Sequence, residues 1–250
     1  MRMGPGNALR AERIKFTTLP SQWAAPLTAL AITVGVTAAV SAAEGAPAPG
    51  SGKDPANTIY YGLLFGHVAV ACLGILLIGQ EFNTRMIATS LTAVPRRGRL
   101  YGAKLALGAG LGLLLGLAST AGSFLAVDAT AGLDFSTPGL ARSFLAGVLY
   151  HPMMVLLCLG LTAMLGNFSA ALGLLTPMVF LGTTWLAAIP GVREVGQFLP
   201  DRAGLYAMRT QTEPGIHYGH WTGLLIMALW TATAVYGGWR AMLRYQASGA

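Results

Sequence analysis

The sequence predicts an all-α integral membrane protein with six transmembrane helices, and three observations carry that expectation. Only 10% of the 250 residues are charged while 54% are hydrophobic, with a mean hydropathy of +0.59. A soluble domain carries about 25% charge to keep its surface wetted. Six apolar stretches approach or exceed the ~20 residues a helix needs to cross the hydrocarbon layer. They are Trp23–Ala43, Ile59–Gly79, Leu100–Val127, Phe144–Leu165, Ser169–Ile189 and Trp221–Trp239. Finally, runs such as "LGAGLGLLLGLA" lack the alternation of a membrane barrel strand. A helix satisfies its own backbone polar groups in lipid, so uninterrupted runs of this kind read as helices.

Taken in order, residues 1–22 carry "NALRAERIKFTTLP" ahead of the first span. Leu9, Phe16 and Leu19 share an arc of a helical wheel with Glu12 among them, so the segment reads either as an interfacial helix or as a frayed basic tail. "AVSAAEGA" resembles a signal-peptide cleavage site, but the long segment before the apolar run and the run's spanning length favour a retained anchor. The connector "EGAPAPGSGKDPAN" is rich in Pro, Gly and Ser without periodicity. After the second span comes a polar island, residues 79–105, "GQEFNTRMIATSLTAVPRRGRLYGAKL". The third span places Gly108, Gly112 and Gly116 on one face, a spacing that lets helix backbones approach closely. "DATAGLDFSTPGLARS" is turn-like, and "GNF" closes a tight turn between spans four and five. The stretch from Pro190 to His220 contains semi-apolar pieces, "VGQFL" and "GLYAM", too short to span. They read as short helices dipping into the bilayer or as a loop. The domain layout is therefore 1–22 N-terminal, 23–240 membrane domain, 241–250 tail.

Charge sets the expected orientation. With six spans both termini share a side, and that side holds 11 of the 16 basic residues but only two of the nine acids, Glu12 and Glu81. The basic side is expected to be cytoplasmic, in a cell membrane. The net charge of +7 then reflects orientation and attraction to anionic headgroups, with no nucleic acid required.

The chemistry-bearing residues are few. Cys72 and Cys158 lie inside predicted spans and imply no disulfide framework. His67 and His151 sit at similar depth in spans two and four, but metal sites use tighter pairs with carboxylates, and no acid lies in either span. They read as cavity-lining or hydrogen-bonded packing groups, and no metal is expected. His217 and His220 read as solvated loop residues. No carboxylate falls mid-membrane, which disfavours an ion-driven transporter. GxxxxGK[ST], GxSxG, HExxH and CxxC are all absent, so the chain reads as a non-enzyme with no cofactor of its own.

Within the polar island, Gln80 to Val94 lacks Pro and Gly and is expected to be helical. Glu81 and Arg85 stand at i and i+4 in the favourable order for an ion pair. Phe82, Met86, Thr89 and Ala93 line a neighbouring arc. Pro95 ends the helix, leaving Arg96, Arg97 and Arg99 to reach headgroups or phosphates. A basic loop serving orientation alone is the simpler alternative.

The run Glu81-Phe82, Ile87, "SLTAVPRR" and Ala103-Lys104 resembles the permease subunits of ABC-2 type transporters. Where that family carries a Gly-Thr pair this chain has Arg85-Met86. The resemblance extends to a basic N-terminal helix, six spans and a long segment between spans five and six. It implies that the island is a cytoplasmic coupling helix seated in a separate ATP-binding cassette subunit, which binds the ATP and magnesium. Glu81, Phe82, Arg85, Met86 and Thr89 would contact that ATPase, with Pro95, Arg96 and Arg97 fixing the exit angle. The N-terminal segment would be the family's elbow helix. Two permease copies, as homodimer or related heterodimer, would face each other, with Phe65, His67, Met178 and Phe180 of spans two and five lining the route. A small hydrophobic or amphipathic exported cargo is the implied substrate class. A non-transport membrane protein docking a cytoplasmic regulator is the competing reading.

Overall fold

The computed structural model describes residues 10, 14, 20–45, 52–84, 97–186, 191 and 193–244, without the side chains of 20–22, 97, 180–186 and 193. Within these residues every regular element is an α-helix: α1 Pro20–Glu44, α2 Pro55–Ile59, α3 Leu63–Asn83, α4 Arg97–Ala131, α5 Leu140–Leu165, α6 Phe168–Leu186, α7 Arg193–Gly196, α8 Pro200–Met208 and α9 His220–Arg244. Four of them, α1, α3, α4 and α5, are long and apolar enough to cross a membrane. The chain is thus an all-α protein with the makings of a multi-pass membrane domain.

The long helices run alternately up and down, so the bundle has a Glu81 end and an Asp54 end. α5 is central and packs against α3, α4, α6, α8 and α9, while α1 lies across α3 and α4. Where lipid supplies no drive for helices to separate from solvent, close backbone approach carries much of the packing. The expected glycine face of α4 does this against α5. A Cβ on Gly112 would lie 2.6 Å from the Pro152 Cα, and one on Gly116 2.4 Å from the Val148 carbonyl oxygen. On the other side of α5, a Cβ on Gly160 would fall 2.5 Å from the α9 backbone at Ala234.

Helix ends explain where the structure departs from simple hydropathy. The second apolar run is two helices. Asp54 caps α2 by accepting from Ala56 N at 2.9 Å, with Pro55 at the first helical position. The chain then turns through Tyr60–Gly62 before α3. Thr37 of α1 satisfies this break, donating to the Ile59 carbonyl and accepting from Gly62 N, each at 3.2 Å. A side chain at Gly62 would strike the Thr33 carbonyl oxygen at 2.0 Å. α5 ends at Gly166 with φ 61°, a left-handed cap that glycine adopts without strain. Asn167 Oδ1 then accepts from Ala170 N at 3.0 Å, starting α6.

One expectation is corrected. The unbroken helix from Gln80 to Val94 is not formed, because α3 ends at Asn83. Thr84 leaves the helix at φ −86°, ψ 2°, and its hydroxyl donates back to the Gln80 carbonyl at 2.8 Å. Glu81 therefore closes a long apolar helix rather than opening a separate one. In the stretch after α6, where short helices or a loop are expected, the helical alternative holds for "GLYAM", which belongs to α8; its Ala203, Tyr206, Ala207 and Met208 are all buried.

Candidate functional site

Three places gather polar chemistry. The first is the root of the polar island, where α3 ends and α4 begins. Glu81 and Lys104 are each 1% exposed. The Lys104 ammonium lies 2.8 Å from Glu81 Oε1 and donates to the Leu77 carbonyl at 3.0 Å. Two charges leave water only when paired and hydrogen-bonded, because the desolvation cost of either alone is several kcal/mol. The pair therefore pins the last turn of α3 to the first turns of α4. Tyr101 continues the seam, donating to the Val235 carbonyl at 3.2 Å and stacking edge-on with Trp239 of α9.

Of the residues expected in the island, Glu81 is thus interior and Phe82 is half-buried against the core. Arg85, Met86, Thr89, Pro95 and Arg96 lie outside the described residues, as does the Arg97 side chain at the start of α4. The N-terminal interfacial segment does too, except that Arg10 and Ile14 are exposed.

The second place is inside the bundle. Asp201, in the first turn of α8, is 5% exposed and its Oδ1 accepts the Tyr150 hydroxyl. His67 on α3 and His151 on α5 are 2% and 1% exposed, and His67 interacts electrostatically with both His151 and Asp201. His151 Nδ1 bonds the Gly147 carbonyl at 2.9 Å, while its Nε2 and Asp201 Oδ2 have no hydrogen-bond partner among the described residues. The His67 ring faces the Val179 backbone without a well-formed bond at either nitrogen. No trio of His, Cys, Asp or Glu among the described residues is arranged to hold a metal ion. No acid near these histidines comes from the spans that carry them; the one that approaches is Asp201, delivered by α8.

α8 is short and is held by other elements. Arg142 on α5 donates to the carbonyls of Ala207 and Arg209, and Ser143 donates to that of Met208. These bonds satisfy orphan carbonyls at the end of a nine-residue helix. Gly223 of α9 gives room for contact, since a Cβ there would meet the Ala203 carbonyl oxygen at 2.6 Å.

The third place is a cavity of about 570 Å³ at the Asp54 end, between the end of α1, α2, the start of α3 and α8. Asp54 braces its wall: besides capping α2 it accepts from Thr210 N at 3.0 Å, Gln211 N at 3.1 Å and the Thr210 hydroxyl. Arg202 pairs with Glu213 across the rim.

The expected lining residues do not converge in one chain. His67 is interior, whereas Phe65 and Met178 are 44% and 47% exposed on the outside of the bundle, and the Phe180 side chain lies outside the described residues. His220 is not merely solvated, since its ring stacks on Tyr206 at 4.8 Å. In comparisons with known proteins, no family model and no curated protein matches this chain.

Proposed function

We propose that this chain is the membrane-spanning permease subunit of an ABC-2 type transporter. It would export a small hydrophobic or amphipathic compound with ATP hydrolysed on a separate subunit. On this reading α6 and α9 join the four apolar helices as spans five and six. α9 is 25 residues long, about 37 Å at 1.5 Å per residue. Apart from Arg240 and Arg244 at its end, its large exposed residues are apolar or aromatic: Trp221, Leu225, Leu229, Trp230, Tyr236, Trp239 and Leu243. Its hydropathy is diluted by Trp, Tyr, Thr and Gly, which is why it stands apart from the other four.

The observation that carries the proposal is the buried Glu81–Lys104 pair at the base of the polar island. A connector pushed by a partner moves two spans only if both its ends are fixed to them. Here the α3 and α4 ends are joined to each other by a desolvated ion pair. The seam then continues to α9 through Tyr101. Displacement of the connector would pass to three helices together, as coupling to a separate ATPase requires. A second permease copy would cover exposed Phe65 and Met178.

The test reverses charges in the connector and leaves Glu81 and Lys104 in place. The chain is expected to co-purify with a P-loop ATPase from its own cells, and Arg96→Glu with Arg97→Glu to abolish that association while the protein stays folded in detergent. If the wild-type chain brings down no ATPase, or the double reversal leaves the association intact, the coupling reading fails. Capture of a non-ATPase regulator would favour the docking alternative.

A further inference from the structure

The 570 Å³ cavity at the Asp54 end has the size of a small-molecule site, and its charges are unequally committed. Asp54 accepts from three backbone N–H groups and one hydroxyl. Glu213 is held by Arg202, and Glu44 at the rim accepts from the Thr58 hydroxyl at 3.3 Å. The side chains of two cations lining the same cavity, Lys53 and Arg209, make no hydrogen bond or close ion pair with any described residue. Both also line an adjoining cavity of about 340 Å³, so they stand at the boundary of two open volumes. Arg209 is half-buried, and burial works against its charge while Asp54 and Glu213 favour it from a distance. A desolvated guanidinium with no bound partner gains most from an anion that supplies two oxygens to its planar fork.

The same lining includes apolar and aromatic side chains. Tyr61, just before α3, and Leu64 in its first turn are 41% and 37% exposed, and Leu205 and Tyr206 of α8 line the same space. Such a surface suits a hydrocarbon or aromatic body.

We propose that this cavity binds an amphipathic anion, its phosphate or carboxylate head held by Arg209 and Lys53 and its apolar body lying against Tyr61, Leu64 and Tyr206. The head could belong to an anionic phospholipid of the adjacent leaflet or to a freely diffusing amphiphile. The site is defined without reference to an ATPase, so its loss would leave the transport reading standing.

The test is calorimetric titration of the full chain in phosphatidylcholine nanodiscs, with empty discs as blank. Hexyl phosphate and hexyltrimethylammonium are the probes. Hexyl phosphate is expected to bind saturably at one per chain, and hexyltrimethylammonium to show only the blank's partitioning. Arg209→Gln should weaken hexyl phosphate about tenfold or more, the scale of a lost charge-assisted bond. Arg209→Lys should retain most of the affinity, and Lys53→Gln, at an exposed position, should lose severalfold without structural consequence. Equal affinity of wild type, Arg209→Gln and Lys53→Gln, or equal binding of the cationic probe, overturns the proposal. Native mass spectrometry of protein extracted from its own membrane separates the sources. A retained anionic phospholipid that disappears in Arg209→Gln marks the leaflet as supplier. A lipid-free chain that still binds hexyl phosphate marks a diffusing amphiphile.

Discussion

Lys104 and Glu81 show what a single buried contact demands. Removing one charge of a desolvated pair leaves the other without compensation, at a cost of about 3–5 kcal/mol, whereas removing both is often close to neutral. Glu81→Gln alone is therefore expected to lower the thermal midpoint of the detergent-solubilised chain sharply, and Glu81→Gln with Lys104→Met to recover most of the loss. A double mutant as unstable as the single would show that the pair is not the source of the effect. Neither partner was hard to see in the sequence, yet their meeting was not legible there. Glu81 was paired with Arg85 on helical spacing, because an i,i+4 partner is visible within one segment. Lys104, a partner no local spacing suggests, lies 23 positions away and is brought close by the hairpin of α3 and α4, while Arg85 lies outside the described residues. The same holds for Tyr150 and Asp201. Tyr150→Phe removes the one hydrogen bond to a buried carboxylate, and about 1–3 kcal/mol of stability should go with it. Asp201→Asn should be milder, since the amide oxygen still accepts from the Tyr150 hydroxyl.

At the scale of elements, long helices are legible outright, while short ones are legible only as one of two alternatives. α1, α3, α4 and α5 announce themselves through apolar length, and the glycine spacing of α4 correctly marked its contact face. α8 is only nine residues, has no apolar run of its own, and is seated by Arg142 and Ser143 from another helix. No local pattern in "PDRAGLYAM" encodes that support, so the acid it carries into the bundle went unread. The dependence makes a prediction. Arg142→Ala should release the α8 C-terminus, and hydrogen exchange of residues 200–208 should quicken selectively while α3 and α4 stay protected. Uniform quickening across the bundle would instead mark Arg142 as a support of the whole fold. The α4–α5 seam is stiffer. Gly116→Leu would drive a side chain into the Val148 carbonyl, and overpacking of this kind costs about 1–3 kcal/mol or more. Gly110→Leu serves as control, because a Cβ there meets nothing within 4 Å.

At the scale of the whole molecule, the bundle's dimensions and its charge agree with one placement in a bilayer. Trp221 and Trp239 are exposed near opposite ends of α9, about 27 Å apart along its axis at 1.5 Å per residue. Indole rings favour the two headgroup zones on either side of a hydrocarbon layer about 30 Å thick. On the proposed six-span reading, that spacing would set α9 upright across the membrane, with the polar island at one face and the Asp54 cavity at the other. Basic residues concentrate on the island's side, so the island should face the cytoplasm and the cavity the exterior. The orientation is testable with a cysteine at Thr92 in the island and another at Thr212 beside the cavity, each in a background lacking Cys72 and Cys158. In intact cells a membrane-impermeant maleimide should modify the cysteine at 212 and spare that at 92, and permeabilisation should expose both. The reverse pattern would place the island outside, beyond the reach of any ATP-hydrolysing partner, and would remove the basis for coupling. Labelling of both positions in intact cells would mean that the residues between them cross the bilayer an even number of times, which is incompatible with spans three to five.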